Sequence, residues 1–499
     1  MKKYFYLILL AFAAITTQSC KHRTDTPSID LVKDSVFYYA KEDYLWNDAI
    51  PSYDAFNPRQ YSSTSDINSL QSEIDAISQL KINPATQKPY EYNSSYPGES
   101  KYSFIDQGQT GQTLLGNNAD FGFFPVYGPL NSTDLRIRYV NPGSPAAKAG
   151  IHRGELITAI TGVPSLDGSV SSNISYINAA LSAASITMTL KRANNTTYTT
   201  TVTAASYTAN PVMKDTIYNV TASKKVGYLV LSTFTALTNA QSKLDAAFDH
   251  FISNNITDLV VDLRYNGGGY VETAEYLDNL IIPAAKSGTT MYTSYFNAGL
   301  QADNYPLLSN IFAISKGDFS IPKNTVNFSK KKTLSGINNV IFIVTNRTAS
   351  ASELAINNLI PHMNVKLVGT TSYGKPVGFF GIPVGGYTLY IAEFETKNAA
   401  AKGGYYAGMQ PASADYPGYY SSDDVTHDFG DPAENLLARS LSYINIGTYS
   451  TPQQQVQNLA GINLLSAQQQ AALNSKFKDK TFNGMIFDRN KMRLKRGHY

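Results

Sequence analysis

Cysteine is nearly missing from this chain of 499 residues: there is one, Cys20. A disulfide inside the chain is therefore impossible. Histidine is also scarce, with six scattered residues and no H-E-x-x-H or Cys/His cluster, so neither a metal nor a cofactor is expected. An excess of charge of one sign is lacking as well. Lys and Arg total 41 and Asp and Glu 38, for a net charge of +3, which gives no ground for a nucleic-acid partner. Beyond the first twenty residues no run is long and apolar enough to cross a bilayer. What remains is 43% hydrophobic and 16% charged, too apolar for a disordered chain. At roughly 150 residues per domain, the length suggests about three domains.

The first residues, "MKKYFYLILLAFAAITTQSC", place two lysines before an apolar stretch from Tyr4 to Ile15, then small and polar residues. This pattern reads as a secretory signal over 1–20, too short to persist as a spanning helix. It resembles a bacterial lipoprotein signal, in which the cysteine at the cut is lipidated; here that is Cys20, with Thr17 where such signals usually carry Leu. The resemblance implies an exported protein of the cell envelope, anchored to the membrane by lipid. The next residues, "KHRTDTPS", contain no acidic run, so the anchor is expected to face the periplasm.

Residues 21–112 are rich in Tyr, Ser and Asn. Within them, "SDINSLQSEIDAISQL" sets Ile67, Leu70, Ile74, Ile77 and Leu80 at helical spacing, and a small helical N-terminal domain is expected. From 113 to 206 short strands alternate with one small-residue helix. The stretch "NPGSPAAKAGIHRGELITAITG" and the sequence Asp120–Phe121–Gly122–Phe123 resemble a PDZ domain and its carboxylate-binding loop. On that resemblance Phe121, Gly122 and Phe123 would hold a peptide's terminal carboxylate while the peptide adds a strand to the sheet edge.

Residues 207–440 read as α/β. "KVGYLVLS" and "TDLVVDL" are strands, as are "NVIFIVT" and "VKLVGT"; their near-continuous apolar runs indicate a sheet covered on both faces. Thr238 and Gln241 suggest a capping box. Leu244, Ala247, Phe248, Phe251 and Ile252 then make one helix face. Residues 284–338 are irregular and polar, as an insertion or lid would be. Residues 441–499 form an extension with a Gln-rich, helix-like stretch and a basic, solvated end.

Three pieces of 207–440 could carry chemistry. Ser350 follows a strand and opens a helix, where unpaired N–H groups and the helix dipole favour negative charge; Ala351 could supply one oxyanion donor. Serine is also the usual N-cap, so this position alone is weak evidence. In "DLRYNGGG" a buried strand ends in glycines that allow an N–H to approach a substrate oxygen. Lys375, in "SYGKPVG", sits among small and apolar residues. It could act as a base if burial lowered its pKa from about 10.4 to near neutral.

The order PDZ, D-L-R-x-N-G-G-G, T-A-S-A-S-E and Y-G-K is similar to the carboxyl-terminal processing (tail-specific) serine peptidases, over roughly residues 113–440. The resemblance implies an α/β multidomain protein with a crotonase-like ββα core (207–440) preceded by the PDZ domain. It implies Ser350 as nucleophile, Lys375 as general base, and an oxyanion hole from Gly267 or Gly268 with Ala351. The family often has Gly after the lysine and Gln four positions after it. Here those positions are Pro376 and Phe379, so no third member of a triad is evident. Glu353 could support the pair, although a first-turn acid that complements the dipole is the ordinary reading.

Rival chemistries fit less well. No G-x-S-x-G surrounds Ser350, and Ser78–Lys81 and Ser329–Lys332 match S-x-x-K without S-D-N or K-T-G. The expected activity is serine endopeptidase cleavage of polypeptides near their free C-termini. A non-catalytic peptide-binding lipoprotein of the same fold is the alternative. A crotonase-like acyl-transfer enzyme is disfavoured by the PDZ segment.

Overall fold

The computed structural model describes residues 27–334, 336–450, 464–477 and 483–487. The signal-like segment with Cys20 and the basic end after 487 lie outside the described residues.

Helix α1 (Ile29–Asp43) packs on α2 (Asp66–Ser78), which starts where Ser65 Oγ accepts the Asn68 N–H. The spacing of Leu70, Ile74 and Ile77 puts them on one buried face. That face does not form a core of its own. It belongs to the same apolar cluster as the interior of the large sheet, so these helices are docked on the core of that sheet rather than independent of it. Each such side chain contributes about 1.5–3 kcal/mol when fully buried. The segment also contains strand β1 (Phe104–Asp106).

A second cluster is separate. Strands β2 (Phe123–Tyr127), β3 (Leu135–Val140), β4 (Leu156–Ile160), β5 (Ser185–Lys191) and β6 (Thr197–Thr203) form a five-stranded sheet in that order, with helix α3 (Ser171–Leu181) after β4. Leu135, Ile137, Ile157, Ile186 and Met188 fill its core.

The central sheet has six strands. Strand β7 (Val212–Asn219) runs antiparallel to β8 (Lys225–Leu231), and β9 (Asp258–Asp262) continues parallel. Helix α4 (Leu237–Ser253) joins β8 to β9. It begins at Leu237 with Ala236 as N-cap, so Thr238 lies inside the first turn and the expected capping box is absent. The turn after β9 leads through the short β10 (Gly268–Tyr270) into α5 (Val271–Ile281).

The segment expected to be irregular, 284–338, contains strand β11 (Thr290–Phe296), paired with the short β12 (Thr325–Asn327). The alternation of Tyr and Thr there supports a half-buried strand. The central sheet resumes with β13 (Val340–Val344), then helix α6 (Ala351–Leu359) and β14 (Val365–Gly369). Residues Leu229, Leu259, Val261, Val340 and Phe342 face the large cluster. Their neighbours Tyr228, Val260, Ile341 and Ile343 face the opposite layer. Burial on both faces is why these strands read as unbroken apolar runs.

Strands β15 (Val377–Gly378), β16 (Ile382–Val384), β17 (Tyr387–Tyr390) and β18 (Phe394–Asn398) follow. β18 pairs with β11 on one side and β15 on the other, and β17 pairs with β1 on one side and β16 on the other. Strand β19 (Gly418–Tyr420) closes the central sheet, and α7 (Asn435–Ile446) covers its second face with Leu436, Leu437 and Ile444. The extension then supplies α8 (Ala467–Asn474) and β20 (Gly484–Ile486); the latter pairs in parallel with β10.

Candidate active site

Ser350 stands between β13 and α6 with φ 60° and ψ −108°. A non-glycine residue in that region costs on the order of 1–3 kcal/mol and persists only where neighbours enforce it. The neighbours are identifiable. Thr348 Oγ1 donates to Leu263 O and accepts the Thr345 N–H, closing the turn. The Ala349 N–H and Ser352 Oγ both donate to Asn266 O. The sharp strand–turn–helix geometry leaves Ser350 Oγ buried and without a hydrogen-bond partner among the described residues.

The glycine turn is held by Asn266. Its Nδ2 donates to Leu231 O at 3.0 Å, and its Oδ1 accepts the Gly268 N–H at 2.9 Å. The Gly268 N–H is thereby engaged inside the turn, while no described acceptor takes the Gly267 N–H. Gly268 has φ 113°, and a Cβ there would lie 3.1 Å from Ala351 N, which shows how closely this turn approaches the start of α6. Of the two glycines left open by the sequence, Gly267 is the one with an N–H to offer beside Ala351.

Glu353 is not the ordinary first-turn acid the sequence suggested. It is fully buried and forms the hub of the site. Its Oε2 accepts the N–H of Ser350 at 2.8 Å and the N–H of Lys375 at 2.8 Å. Its Oε1 accepts from Gly374 N and from Ser372 Oγ. One carboxylate therefore ties the serine turn to the lysine turn. Burial pushes its pKa up, and the four hydrogen bonds oppose that.

Lys375 is fully buried, and its amine makes no ion pair among the described residues. Nζ donates to Tyr102 O at 3.2 Å and Asn483 O at 2.9 Å, and lies 4.1 Å from the centre of the Phe379 ring. It makes no hydrogen bond to Ser350 Oγ. Desolvation lowers its pKa from 10.5 to about 7, against the opposing fields of Glu91 and Glu353; nearby Lys101 lowers it further. Phe379, at the position where the family often has Gln, thus meets the ammonium with a ring face rather than an amide.

Several of these groups were not singled out in the sequence. Glu91 is buried and accepts from Tyr102 N, Ser103 N, Ser103 Oγ and Tyr44 Oη, which fixes the Tyr102 carbonyl under Lys375. Residues 91–103 lie more than 270 positions before Lys375, so no local pattern could connect them. Ser372 and Asn266 sit inside the quoted motifs, and their polarity within apolar surroundings was the available signal. A cavity of about 720 Å³ opens beside this site, lined by Lys101, Tyr102, Ser103, Tyr373 and Asn483 together with polar residues of α2.

Phe121 and Gly122 form the loop that leads into β2, whose first residue is Phe123. Gly122 has φ 79°, and its N–H is given to Asp120 Oδ1 at 2.7 Å, while Tyr207 Oη donates to the same oxygen. A carboxylate, Asp120, therefore already sits at the loop expected to receive one. Among the described residues no group of three or more His, Cys, Asp or Glu could hold a metal ion, and no helix is long and apolar enough to cross a membrane.

Residues 225–399 match the model of peptidase family S41, and residues 136–192 match that of the PDZ domain. The chain is 25% identical over 279 residues to a chloroplastic C-terminal processing peptidase of Tetradesmus obliquus, covering 52% of each. It is 24% identical over 327 residues to the carboxy-terminal processing protease of Bacillus subtilis (strain 168), covering 63% of each. The chain thus spans about half to three fifths of the length of these curated relatives. A structure described as an S41 protease from Bacteroides fragilis NCTC 9343 superposes with a TM-score of 0.56 at 24% identity, over 83% of this chain and 97% of that one. That likeness, together with the PDZ match, establishes the fold: a mixed α/β core like that of the S41 protease, with a PDZ domain and a helical N-terminal region.

Proposed function

We propose that the protein is a serine endopeptidase that cleaves polypeptides near their C-termini. In this reading Ser350 attacks the scissile carbonyl, Lys375 takes the proton, and the N–H groups of Gly267 and Ala351 hold the oxyanion. The observation that carries the reading is the strained Ser350: its Oγ is buried and unpartnered, and its backbone N–H shares the Glu353 carboxylate with the backbone N–H of Lys375, whose amine has its pKa lowered to about 7. A neutral amine at working pH is what a lysine base requires. The names of the curated relatives support polypeptides as substrates and cleavage near the C-terminus. The PDZ domain is proposed to hold the substrate chain, and Cys20 to anchor the protein by lipid in the cell envelope.

A second reading, a peptide-binding protein without turnover, is favoured by one observation: the Lys375 amine donates to Tyr102 O and Asn483 O, not to Ser350. Turnover of an unstructured polypeptide by the parent and by Ser350→Ala separates the two. Hydrolysis that disappears in the variant supports the peptidase, and hydrolysis that persists, or is absent from both, rejects it.

A further inference from the structure

The C-terminal extension lies against two surfaces that the peptidase reading assigns to substrate. The first is strand β2, an edge of the five-stranded sheet, where β-addition would place a peptide. Asn474 occupies that edge. Its Oδ1 accepts the Tyr127 N–H at 2.8 Å and its Nδ2 donates to Tyr127 O at 3.2 Å, the pair of bonds a neighbouring strand would make. Phe477 stacks on Tyr127 with ring centres 5.4 Å apart, and Leu473 and Phe477 are buried in the PDZ-type core. From the other side, Asn178 of α3 donates to Lys476 O at 3.1 Å. The extension thus touches both β2 and α3.

The second surface is the catalytic groove. Strand β20 runs between the glycine turn and the lysine loop. Gly484 N–H donates to Gly267 O at 2.9 Å, and on the opposite edge Phe379 N–H donates to Met485 O at 3.0 Å and Phe487 N–H to Phe379 O at 3.1 Å. Asn483 O takes a hydrogen bond from the Lys375 amine. Both walls carry glycine where β20 passes. A Cβ on Gly268 would sit 2.1 Å from Gly484 O, and one on Gly378 would sit 2.5 Å from Met485 Cγ. Met485 is completely buried, and so are Ser350 and Lys375. A polypeptide cannot reach Ser350 along these edges while β20 is in place.

We propose that residues 464–477 and 483–487 act as a resident strap, the first bound on the β2 edge and the second in the catalytic groove, where a polypeptide would bind, and displaced when substrate enters. The inference rests on the peptidase reading of the site. The groove takes an extended, apolar segment, as Gly-Met-Ile-Phe is, with a small residue at the glycine turn and an unbranched apolar one beside Gly378. With the strap in, Lys375 is held on Asn483 O; with it out, the amine is freed of that bond. Only the open fraction binds substrate, so apparent affinity falls in proportion to it.

Two full-length variants and one measurement on the parent test the proposal. Met485→Asp places a charge in the buried groove, and Asn474→Ala with Phe477→Ala removes the hold on β2. Each is expected to raise kcat/KM on an unstructured polypeptide by roughly tenfold. In the parent, the amides of Gly484 and Phe487 should exchange by a local opening, well ahead of those in β9 and β13. Unchanged or lower turnover in both variants overturns the strap. So does exchange of Gly484 and Phe487 only in step with β9 and β13, which would make β20 a permanent strand of the fold. Adding Ser350→Ala to either variant separates the two ideas. If turnover survives that change, the peptidase reading fails, while the exchange result still decides the strap.

Discussion

Two buried cations flank the same glycine turn and are treated in opposite ways. Arg264, two residues before Asn266, is enclosed by carboxylates. It contacts Asp262 at 2.7 Å, Glu434 at 2.8 Å and Asp423 at 2.7 Å, and Asp423 also meets Arg153 of the PDZ-type domain at 3.0 Å. These carboxylates raise its pKa well above an already high value, despite burial. Lys375, on the other side, is equally buried, but among the described residues its amine meets carbonyl oxygens and the rings of Phe379 and Tyr102 and forms no ion pair. Burial then wins, and the amine titrates near neutrality. A paired buried charge is structural and inert, whereas a buried charge denied a counter-ion becomes a proton acceptor.

The largest expected effect lies on the unpaired side. Lys375→Ala should lose about 10²–10⁴-fold in kcat, and Lys375→Arg should be as poor, because a guanidinium stays protonated at any working pH. An Arg variant with near-parental turnover would reject Lys375 as the base.

The stability of the two sites should move in opposite directions, which breaks the comparison if it fails. Arg264→Met leaves Asp262 and Glu434 buried without their cation and should cost about 3–5 kcal/mol in urea unfolding. Lys375→Met at pH 6 should instead stabilise, on the order of 1–4 kcal/mol. The sign follows from linkage. The folded pKa of about 7 lies below the unfolded 10.5, so at pH 6 the folded chain bears the full penalty of a buried ammonium. That penalty is relieved as pH rises from about 7 towards 10.5. A Lys375→Met variant no more stable than its parent at pH 6 would mean the amine is not desolvated as described.

Smaller effects sharpen the picture. The kcat/KM of the parent should fall as pH drops through about 7, since only the neutral amine accepts a proton. Glu353→Gln removes a field that favours the ammonium, so this acid limb should move to lower pH, with a stability loss of about 1–3 kcal/mol from the weakened hub. A limb that does not move would assign the ionisation to another group. The smallest effect is expected at the PDZ-type loop. Because Asp120 already occupies the Gly122 N–H, amidation of a substrate's C-terminal carboxylate should change KM by only a fewfold, on the order of 0.5–1 kcal/mol. A loss of a hundredfold would show that this loop does hold the terminal charge.

Much of the architecture was legible because it is written locally. The runs at 258–262, 340–344 and 365–369 are apolar without alternation because layers cover both faces, and the helix at Leu237–Ser253 shows its buried stripe at the expected spacing. The start of that helix was misread because Thr238 mimics a cap, whereas the helix already begins at Leu237 with Ala236 as N-cap. Strand Thr290–Phe296 was overlooked because its Tyr and Thr residues are polar in composition, and its pairing with β18 joins segments about a hundred positions apart.

The sequence by itself determined the residue types that can do chemistry: a serine at a strand-to-helix turn, glycines after a buried strand, and a lysine among small and apolar neighbours. Local spacing suffices for these, because each lies within a few residues of the turn that presents it. Only the tertiary structure decided what surrounds them. Glu353 became a hub because α6 buries its first turn against the lysine loop. The Tyr102 carbonyl, fixed by Glu91, came to the amine from the opposite end of the chain. Asn483 arrived from the far C-terminus. The field at an amine depends on every group within a few ångströms, and in a chain of this length those groups need not be neighbours in sequence.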